Sequence, residues 1–199
     1  LTKYGAGSLT LSNAANINTS LVRINEGTLV YGVADALSTP PVTVAGGTLN
    51  LNGFNETNLG VITMIDGSIV NTGGAGTLVS TATATVEKGT ISAVIASTVS
   101  TLLTKNSAGR FILAGNNTFT STAITVNAGY LNLQHSNALG ASGTALTTTV
   151  LGGATLELQN DITLPSTKAL TVNGTGVGRN GAIRNVSGNN SIGANITLG

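Results

Sequence analysis

A short glycine-led motif recurs along this chain about every 20 residues, and an internal repeat of this kind restricts the fold more than any other feature. In each copy the Gly is followed by a variable residue, an apolar residue, another variable residue and usually a second apolar residue. The later copies depart from this motif. One has Ala154 in the glycine position, and the last begins at Gly181 after a longer interval. The regular copies begin at Gly7, Gly27, Gly47, Gly67, Gly89, Gly109 and Gly129. Their interval is constant except between Gly67 and Gly89, where it is slightly longer.

Apolar residues also repeat on both sides of each glycine. This alternation has a period of two, which is typical of strands with one apolar face. The glycine supplies the backbone freedom that a sharp corner between two strands requires. Three residues before the glycine lie Ile24, Val44, Met64, Val86, Val126 and Leu151, and five before it lie Val22, Val42, Ile62, Ala84, Ile124 and Thr149. Two residues after it lie Leu9, Leu29, Leu49, Ile69, Ile91, Phe111, Leu131, Leu156 and Ile183.

These patterns predict an all-β fold, a parallel right-handed β-helix (β-solenoid) with about 20 residues per coil and roughly nine coils. Short strand units cannot bury their own apolar face, whereas stacked units can. Parallel crossovers are overwhelmingly right-handed, and strands about 4.8 Å apart give a rod on the order of 45 Å long. A sandwich or closed barrel also has short strands and glycine turns, but neither explains the fixed interval. We expect one buried column of Leu29, Leu49, Ile69, Ile91 and Leu131, and another that contains Val44, Val86 and Val126.

A longer repeat is superimposed on the coils. Residues 1–38 align without gaps on residues 103–140, an offset of 102, and both stretches end in Ala-Leu, at Leu37 and Leu139. We therefore expect residues 1–199 to form a single β-solenoid segment with an internal duplication, 1–102 and 103–199. Neither terminus resembles a polar solenoid cap, so we expect a fragment of a longer chain.

The composition excludes several kinds of partner and site. The apolar fraction of 41% and the many β-branched residues argue against disorder. The 8 Lys and Arg residues are spread thinly, so we expect no nucleic-acid partner. No run of about 18 apolar residues is present, so we expect no membrane-spanning helix in this segment. The chain has no Cys, which excludes disulfides and cysteine-ligated metals.

Two stretches resemble a known family. LTKYGAGSLTLSNAANINTSLVRINEGTLVYGVADAL and LTKNSAGRFILAGNNTFTSTAITVNAGYLNLQHSNALG are similar to the autotransporter-associated β-strand repeat, which begins Leu-Thr-Lys-x-Gly-x-Gly-x-Leu-x-Leu and closes with Val-x-x-Gly-x-Leu. The second copy departs at Asn106-Ser107, where the family favours Gly. The resemblance implies a passenger β-helix of a type V secreted protein or another large surface protein of Gram-negative bacteria. It implies an extracellular or cell-surface location, with outer-membrane anchoring through regions outside this chain, and it carries over no catalytic residues.

Candidate residues for chemistry are few and scattered. His135 is the only histidine, and we expect it to be a solvated or hydrogen-bonded turn residue, since no His/carboxylate cluster has metal-ligand spacing. Glu26 and Asp66 each precede a corner glycine two coils apart, which would place them roughly 10 Å from each other. That separation is at the far edge of a glycosidase carboxylate pair. We expect instead a surface ion pair between Asp66 and Lys88.

Two other local patterns suggest ligand sites, but each has a simpler interpretation. The segment Gly174–Gly178 is glycine-rich but opens no helix, so we expect a loop in a widened late coil rather than a phosphate-binding loop. Thr81–Thr85 and Thr147–Thr149 resemble the flat threonine arrays of ice-binding solenoids, but the sequence does not place them in one column across coils. We therefore expect no catalytic, cofactor or metal site and no enzymatic activity.

The sequence leaves three functions open. The leading one is a structural or adhesive β-helical stalk or passenger segment of a bacterial cell-surface or secreted protein. The alternative is a protomer of an extracellular filament built by end-to-end stacking, and a weaker alternative is a carbohydrate-active β-helix enzyme. The expected partners are flanking coils of the same chain or a second copy, and a host-cell or surface receptor or glycan.

Overall fold

The chain folds into a parallel β-solenoid, as shown by a computed structural model that describes residues 1–14, 21–97, 99, 101–120 and 123–199, without the side chains of residues 101 and 102. It has about eight turns of about 21 residues, which confirms the predicted fold class and roughly matches the predicted coil number. The right-handed sense of the coil stays a prediction. Part of the predicted duplication, at residues 15–20 and 121–122, lies outside the described residues.

Among the residues that the structure describes, the regular elements are short strands and one 3₁₀ turn, Val177–Arg179. The strands are β1 (Thr2–Lys3), β2 (Ser8–Leu11), β3 (Val22–Ile24), β4 (Thr28–Tyr31), β5 (Val42–Asn50), β6 (Glu56–Leu59), β7 (Ile62–Val70), β8 (Thr77–Ser80), β9 (Ala84–Val86), β10 (Gly89–Ile91), β11 (Val94–Ser97), β12 (Thr101–Lys105), β13 (Arg110–Leu113), β14 (Ala123–Val126), β15 (Gly129–Leu133), β16 (Leu146–Val150), β17 (Ala154–Gln159), β18 (Thr163–Leu164), β19 (Lys168–Val172), β20 (Ile183–Ser187), β21 (Ser191–Ile192) and β22 (Asn195–Leu198).

Two parallel ladders form the walls of the solenoid. Ladder A contains β1, β3, β5, β7, β9, β12, β14, β16, β19 and β22. Ladder B contains β2, β4, β5, β7, β10, β13, β15, β17 and β20. The nine-residue strands β5 and β7 belong to both ladders and so join them into one 17-stranded sheet. Strands β6, β8 and β11 form a third, shorter ladder, and β18 pairs with β21.

Ladder A directs two columns of side chains into the core, and their members are buried. The first column contains Ile24, Val44, Met64, Val86, Lys105, Val126, Val150 and Val172, and the second contains Val22, Val42, Ile62, Ala84, Leu103, Ile124, Thr148 and Leu170. The predicted column of Val44, Val86 and Val126 is therefore confirmed. Because each column continues from coil to coil, the apolar face of one coil is covered by the coils above and below it.

The predicted column of ladder B is correct only up to Ile91. Leu29, Leu49, Ile69 and Ile91 stack in register, but Ile91 is opposite Leu113, and Leu131 lies two residues away in the neighbouring column. Between paired residues, the corner before β13 contains five residues, 106–110, whereas the corner before β10 contains two, 87–88. The longer corner places Phe111, two residues after Gly109, opposite Gly89. Since strand side chains alternate with a period of two, this two-residue slide keeps the same side chains in the core.

Leu151 and Thr149, predicted in the ladder A columns, do not lie there. Val150 and Thr148 take those positions, and Leu151 is exposed on the turn that follows. The turn contains one residue more than the corresponding turn before Gly129, because Val150 precedes Ala154 by four residues whereas Val126 precedes Gly129 by three. A core position assigned at a fixed distance before Ala154 is therefore wrong by one residue. A shift of one residue exchanges the inward-facing and the outward-facing side chains of a strand.

The corner glycines are required where successive coils approach each other closely. Gly27 has a φ of +63°, and a Cβ atom there would lie 2.4 Å from the carbonyl oxygens of both Gly5 and Gly7. The equivalent glycine in the second repeat copy, Gly129, has a φ of +69°, and its Cβ would lie 2.4 Å from the carbonyl oxygen of Ser107. The same backbone geometry is thus repeated in both halves of the chain, and a side chain would push the coils apart.

Candidate functional site

The two repeat copies place equivalent lysines at equivalent corners. Lys3 is largely buried, and its Nζ donates hydrogen bonds to the carbonyl oxygens of Tyr4 (2.9 Å), Gly5 (2.6 Å) and Glu26 (3.2 Å). Two of these acceptors belong to the corner that follows Lys3, and the third lies on the next coil. The ammonium group therefore ties a corner to the coil stacked on it, an arrangement that we call the lysine clasp.

Lys105 forms the corresponding clasp in the second copy and is fully buried. Its Nζ donates to the Ser107 carbonyl and hydroxyl oxygens and, at 3.3 Å, to the carbonyl oxygen of Ala128 on the next coil. The Ser107 hydroxyl in turn donates to the carbonyl oxygen of Glu87 on the preceding coil at 2.9 Å. Burial lowers the pKa of Lys105 to about 8. Sequence analysis missed this core position because lysine does not appear in an apolar pattern.

Lys168 is a third buried lysine whose ammonium is held by main-chain oxygens. Its Nζ donates to the carbonyl oxygens of Ala141 (2.6 Å) and Thr144 (3.0 Å), both in the preceding coil. Burial lowers the pKa of Lys168. All three lysines therefore connect coils, and none of them is positioned to bind an external ligand.

A buried carboxylate crosslinks four strands on the outer face of ladder B. Glu157 on β17 is fully buried and accepts two hydrogen bonds from Arg110 on β13, at 2.7 Å and 3.0 Å. Asn132 on the intervening strand β15 donates to it at 3.2 Å, and Arg184 on β20 lies at 3.6 Å. The Arg110 guanidinium also lies 4.9 Å from the centre of the Tyr130 ring, within range of a cation–π contact. We call this set the glutamate cluster.

The arginines determine the charge state of the glutamate cluster. Burial alone would raise the pKa of Glu157, but hydrogen bonds from Arg110 and Asn132 and the positive charges of Arg110 and Arg184 outweigh burial, so the pKa lies below its ordinary value. The carboxylate is therefore ionised at neutral pH and fully paired. Because Glu157 is inaccessible and occupied by arginines, the cluster acts as a crosslink between coils rather than as an acid or base for a substrate.

A second buried carboxyl lies inside the solenoid. Glu56 accepts a hydrogen bond from the Tyr31 hydroxyl at 2.9 Å and one from the Leu37 backbone N–H at 3.2 Å, both at Oε2. Its Oε1 is buried and has no partner among the described residues. Burial raises the pKa of Glu56 and also raises the pKa of Tyr31. Neither group reaches solvent, so this pair too is structural.

The carboxylates considered as a glycosidase pair face different partners. Glu26 Oε2 accepts from the backbone N–H of Gly5 on the preceding coil at 2.9 Å. Asp66 Oδ2 pairs with Lys88 Nζ on the following coil at 2.7 Å, which confirms the predicted ion pair. The hydrogen bond from Lys88, assisted by the N–H of Gly67, lowers the pKa of Asp66. The structure therefore brings Asp66 to a cation, not to a second carboxylate.

The remaining predicted candidates lie in turns. His135 Nδ1 accepts a hydrogen bond from the backbone N–H of Asn137 at 3.0 Å, as expected for a turn residue. The segment Gly174–Gly178 lies in the connection 173–182 between β19 and β20, which contains the 3₁₀ turn, so the predicted loop is confirmed. Within the described ranges, no group of His, Asp or Glu side chains is arranged to hold a metal ion, and no concave pocket is present.

The outer face of ladder A contradicts the prediction that threonines do not share a column. Eight threonines occupy one outward position on successive strands, and we call this column the threonine rank: Thr43, Thr63, Thr85, Thr104, Thr125, Thr149, Thr171 and Thr197. Arg23 precedes the rank in the same column. Seven steps of about 4.8 Å give the rank a length of about 34 Å.

Comparison with known proteins identifies the repeats. Residues 1–30 and 103–133 match the family model described as Passenger-associated-transport-repeat. The two matched segments begin 102 residues apart (103 − 1), and each contains one lysine clasp. No curated protein and no solved structure matches the chain. In the part of the chain that the structure describes, no helix has the length and apolar character needed to cross a membrane.

Proposed function

The chain belongs to the autotransporter passenger repeat family, and we propose that it is a structural stalk segment that holds other parts of a bacterial surface or secreted protein away from the cell. The family implies a secreted or cell-surface protein. Anchoring in the outer membrane through other regions, and the absence of enzymatic activity, are part of this proposal. The observation that carries it is the unbroken ladder A, which extends from Thr2 on β1 to Leu198 on β22.

The interactions between coils support a load-bearing role. The core columns, the lysine clasps and the glutamate cluster each connect one coil to its neighbours, and the cluster spans four strands of ladder B. A solenoid in which each coil contacts only its neighbours derives its stiffness from such interfaces. The buried side chains are used in these interfaces, so the outer faces are the surfaces available to a host-cell receptor or a glycan. An adhesive role for those faces is included in the proposal.

A secretion reporter tests the stalk. The chain is placed between an N-terminal epitope and an autotransporter translocation domain, and epitope display and protease resistance are measured on intact bacteria. Removing residues 42–61 takes out one coil in register, because Val42 is opposite Ile62, so display and resistance should persist. Removing residues 42–51 takes out half a coil and should abolish the resistance. Equal display and resistance of the two shortened chains would contradict the proposal, because the folded solenoid would then not be needed.

Stacking into a filament is the second candidate, and the repetition of the same core columns from coil to coil favours it. Because unpaired strand edges recruit further strands, a coil of a second copy could continue these columns. Light scattering on the purified 199-residue chain decides between the candidates. Rods that lengthen with concentration would favour the filament, and a stable monomer would exclude it.

A further inference from the structure

The hydroxyl groups of the threonine rank are free. Among the described residues none of them has a hydrogen-bond partner within the protein. Elsewhere the chain uses hydroxyls internally, as in the 3.0 Å contact between Thr48 and Ser68 and the 3.0 Å bond from Thr155 to the Gly181 carbonyl oxygen. Thr43 is only 8% exposed and is nevertheless unpartnered. The rank therefore presents a row of hydrogen-bond donors and acceptors to the solvent or to a bound partner.

The rank is also rigid and evenly spaced. Each threonine from Thr43 to Thr171 follows and precedes a buried residue of the ladder A core columns, as Thr125 does between Ile124 and Val126. Thr197 differs, because it lies between the exposed residues Ile196 and Leu198. Threonine is branched at Cβ and has few side-chain rotamers, so each coil presents its hydroxyl and methyl groups in a similar way. The spacing between successive members is the strand spacing of about 4.8 Å.

The surroundings of the rank carry few charges, and these lie in its first half. Arg23 stands at the start of the column, Asp66 pairs with Ala45 beside it and forms an ion pair with Lys88, and Glu87 lies two residues after Thr85. From Thr104 to Thr197 the described side chains two residues before and after each threonine, which lie on the same face of the strand, are small, apolar or amide residues such as Ala123, Asn127 and Ala169. An uncharged face of this kind fits an uncharged partner better than an anionic polymer or a membrane of charged lipids.

We propose that the threonine rank binds ice. A crystal of water is an uncharged lattice of hydrogen-bonding oxygens, and the oxygen rows of hexagonal ice repeat at a distance slightly shorter than the strand spacing. Free hydroxyls can join such a lattice, while the methyl groups and the flat strand backbone exclude disordered water between the two surfaces. This activity is independent of the stalk proposal, because it requires only that the chain fold.

Slow growth of an ice crystal from a solution of the purified chain provides the test, with the fraction of protein captured in the ice as the readout. Thr125→Lys places a charge at the centre of the rank, and the cost of desolvating it should reduce capture by about tenfold or more. Thr28→Lys makes the same change on the outer face of ladder B and should leave capture unchanged. Circular dichroism and thermal unfolding establish that both variants are folded.

A conservative variant keeps the proposal testable if the lysine variant unfolds. Thr125→Val retains the shape and the methyl groups but removes one hydroxyl from the centre of the rank, and it should lower capture relative to the unchanged chain. Crystals grown in the presence of the unchanged chain should also develop facets under the microscope. Exclusion of the unchanged chain from ice, or equal capture of the Thr125→Lys and Thr28→Lys chains, would overturn the proposal. Retention on an uncharged polysaccharide together with exclusion from ice would assign the rank to a glycan instead and would equally overturn it.

Discussion

Lys3 and Lys105 occupy equivalent corners of the solenoid in the two repeat copies, and each directs its ammonium group to carbonyl oxygens of its own corner and of the next coil. The backbone atoms at a corner lie outside the strand ladders, so they need other partners. One lysine supplies several donors at once. The Leu-Thr-Lys start of each repeat therefore has a physical reason, since the lysine replaces the ladder hydrogen bonds that the corner lacks.

We predict that Lys105→Met destabilises the chain by about 2 kcal/mol or more. The variant fills a similar volume, but it leaves buried carbonyl oxygens without a donor, and hydrogen bonds to charged groups are among the stronger ones. Chemical denaturation at pH 7 measures the change. Lys88→Met is the matched control, because Lys88 is 55% exposed and forms a surface ion pair, so its loss should cost less than about 1 kcal/mol. Equal losses for the two variants would show that the clasp contributes nothing specific.

Leu49→Ala should lower the free energy of unfolding by roughly 2–5 kcal/mol, because the stacked coils around Leu49 cannot close the resulting cavity. Leu49 is fully buried between Leu29 and Ile69. Leu151→Ala removes the same atoms from a residue that is 39% exposed and should cost below about 1 kcal/mol. Thermal or denaturant unfolding of both variants measures the difference. A large loss at Leu151 would mean that the turn after Val150 is in fact packed.

Glu157→Gln should flatten the dependence of stability on acid pH. The folded-state pKa of Glu157 lies below its ordinary value of 4.5. Its contribution is therefore fully present above about pH 4.5 and is lost as the pH falls through the lower folded-state pKa. At pH 7 the variant should be less stable by about 1–3 kcal/mol, since the arginines lose their anion. Unfolding measured at pH 7, 5 and 3 tests this. Asp66→Asn is the comparison: the pKa of Asp66 is also lowered, but its ion pair is exposed, so this variant should flatten the pH dependence less than Glu157→Gln does. Parallel pH curves for the Glu157→Gln and unchanged chains would contradict the prediction.

Glu56→Gln should act in the opposite direction. The folded-state pKa of Glu56 is raised above 4.5 by burial, so the unchanged chain loses stability as the pH rises from 4.5 through that pKa. The groups that face the carboxyl are the Tyr31 hydroxyl, the backbone N–H groups of Leu37 and Asn58 and, electrostatically, Asp35. Gln remains neutral, and the variant should therefore be at least as stable as the unchanged chain at pH 8. Chemical denaturation at pH 5 and pH 8 measures the two slopes. A variant that is markedly less stable at pH 8 would show that the carboxylate is needed in its charged form.

The fold could be predicted because two periods coincide in the sequence. The regular interval between the corner glycines locates the coils, and the alternation of residues such as Val42, Val44 and Leu49 gives the inward face of each strand. The number of residues in each corner could not be predicted in this way, because the interval between glycines does not determine it. A single extra residue before Ala154 moved Leu151 from a predicted core position to the surface.

The surface could not be predicted, because it depends on register rather than on residue type. Neighbours in the threonine rank are unequally spaced along the chain, closest from Thr85 to Thr104 and farthest apart from Thr171 to Thr197, so no sequence period marks the rank. The glutamate cluster joins Arg110 and Glu157 across 47 residues, with one strand between them. The lysine clasps could not be predicted for a different reason. Core positions were assigned from apolar residues, and a lysine at such a position does not belong to the apolar pattern.

The two-residue slide of β13 against β10 restricts how a gene for such a rod can change length. Codons gained or lost in pairs preserve which side chains are hidden, because each strand returns to the same face after two residues. Gain or loss of a single codon would exchange the inward and outward side chains of a whole coil, unless the length of a corner changes instead. The turn of residues 151–153 contains such an additional residue. Unequal coils are therefore not a sign of decay in this chain. Coils of different length keep the same inward face, because the corners take up the difference.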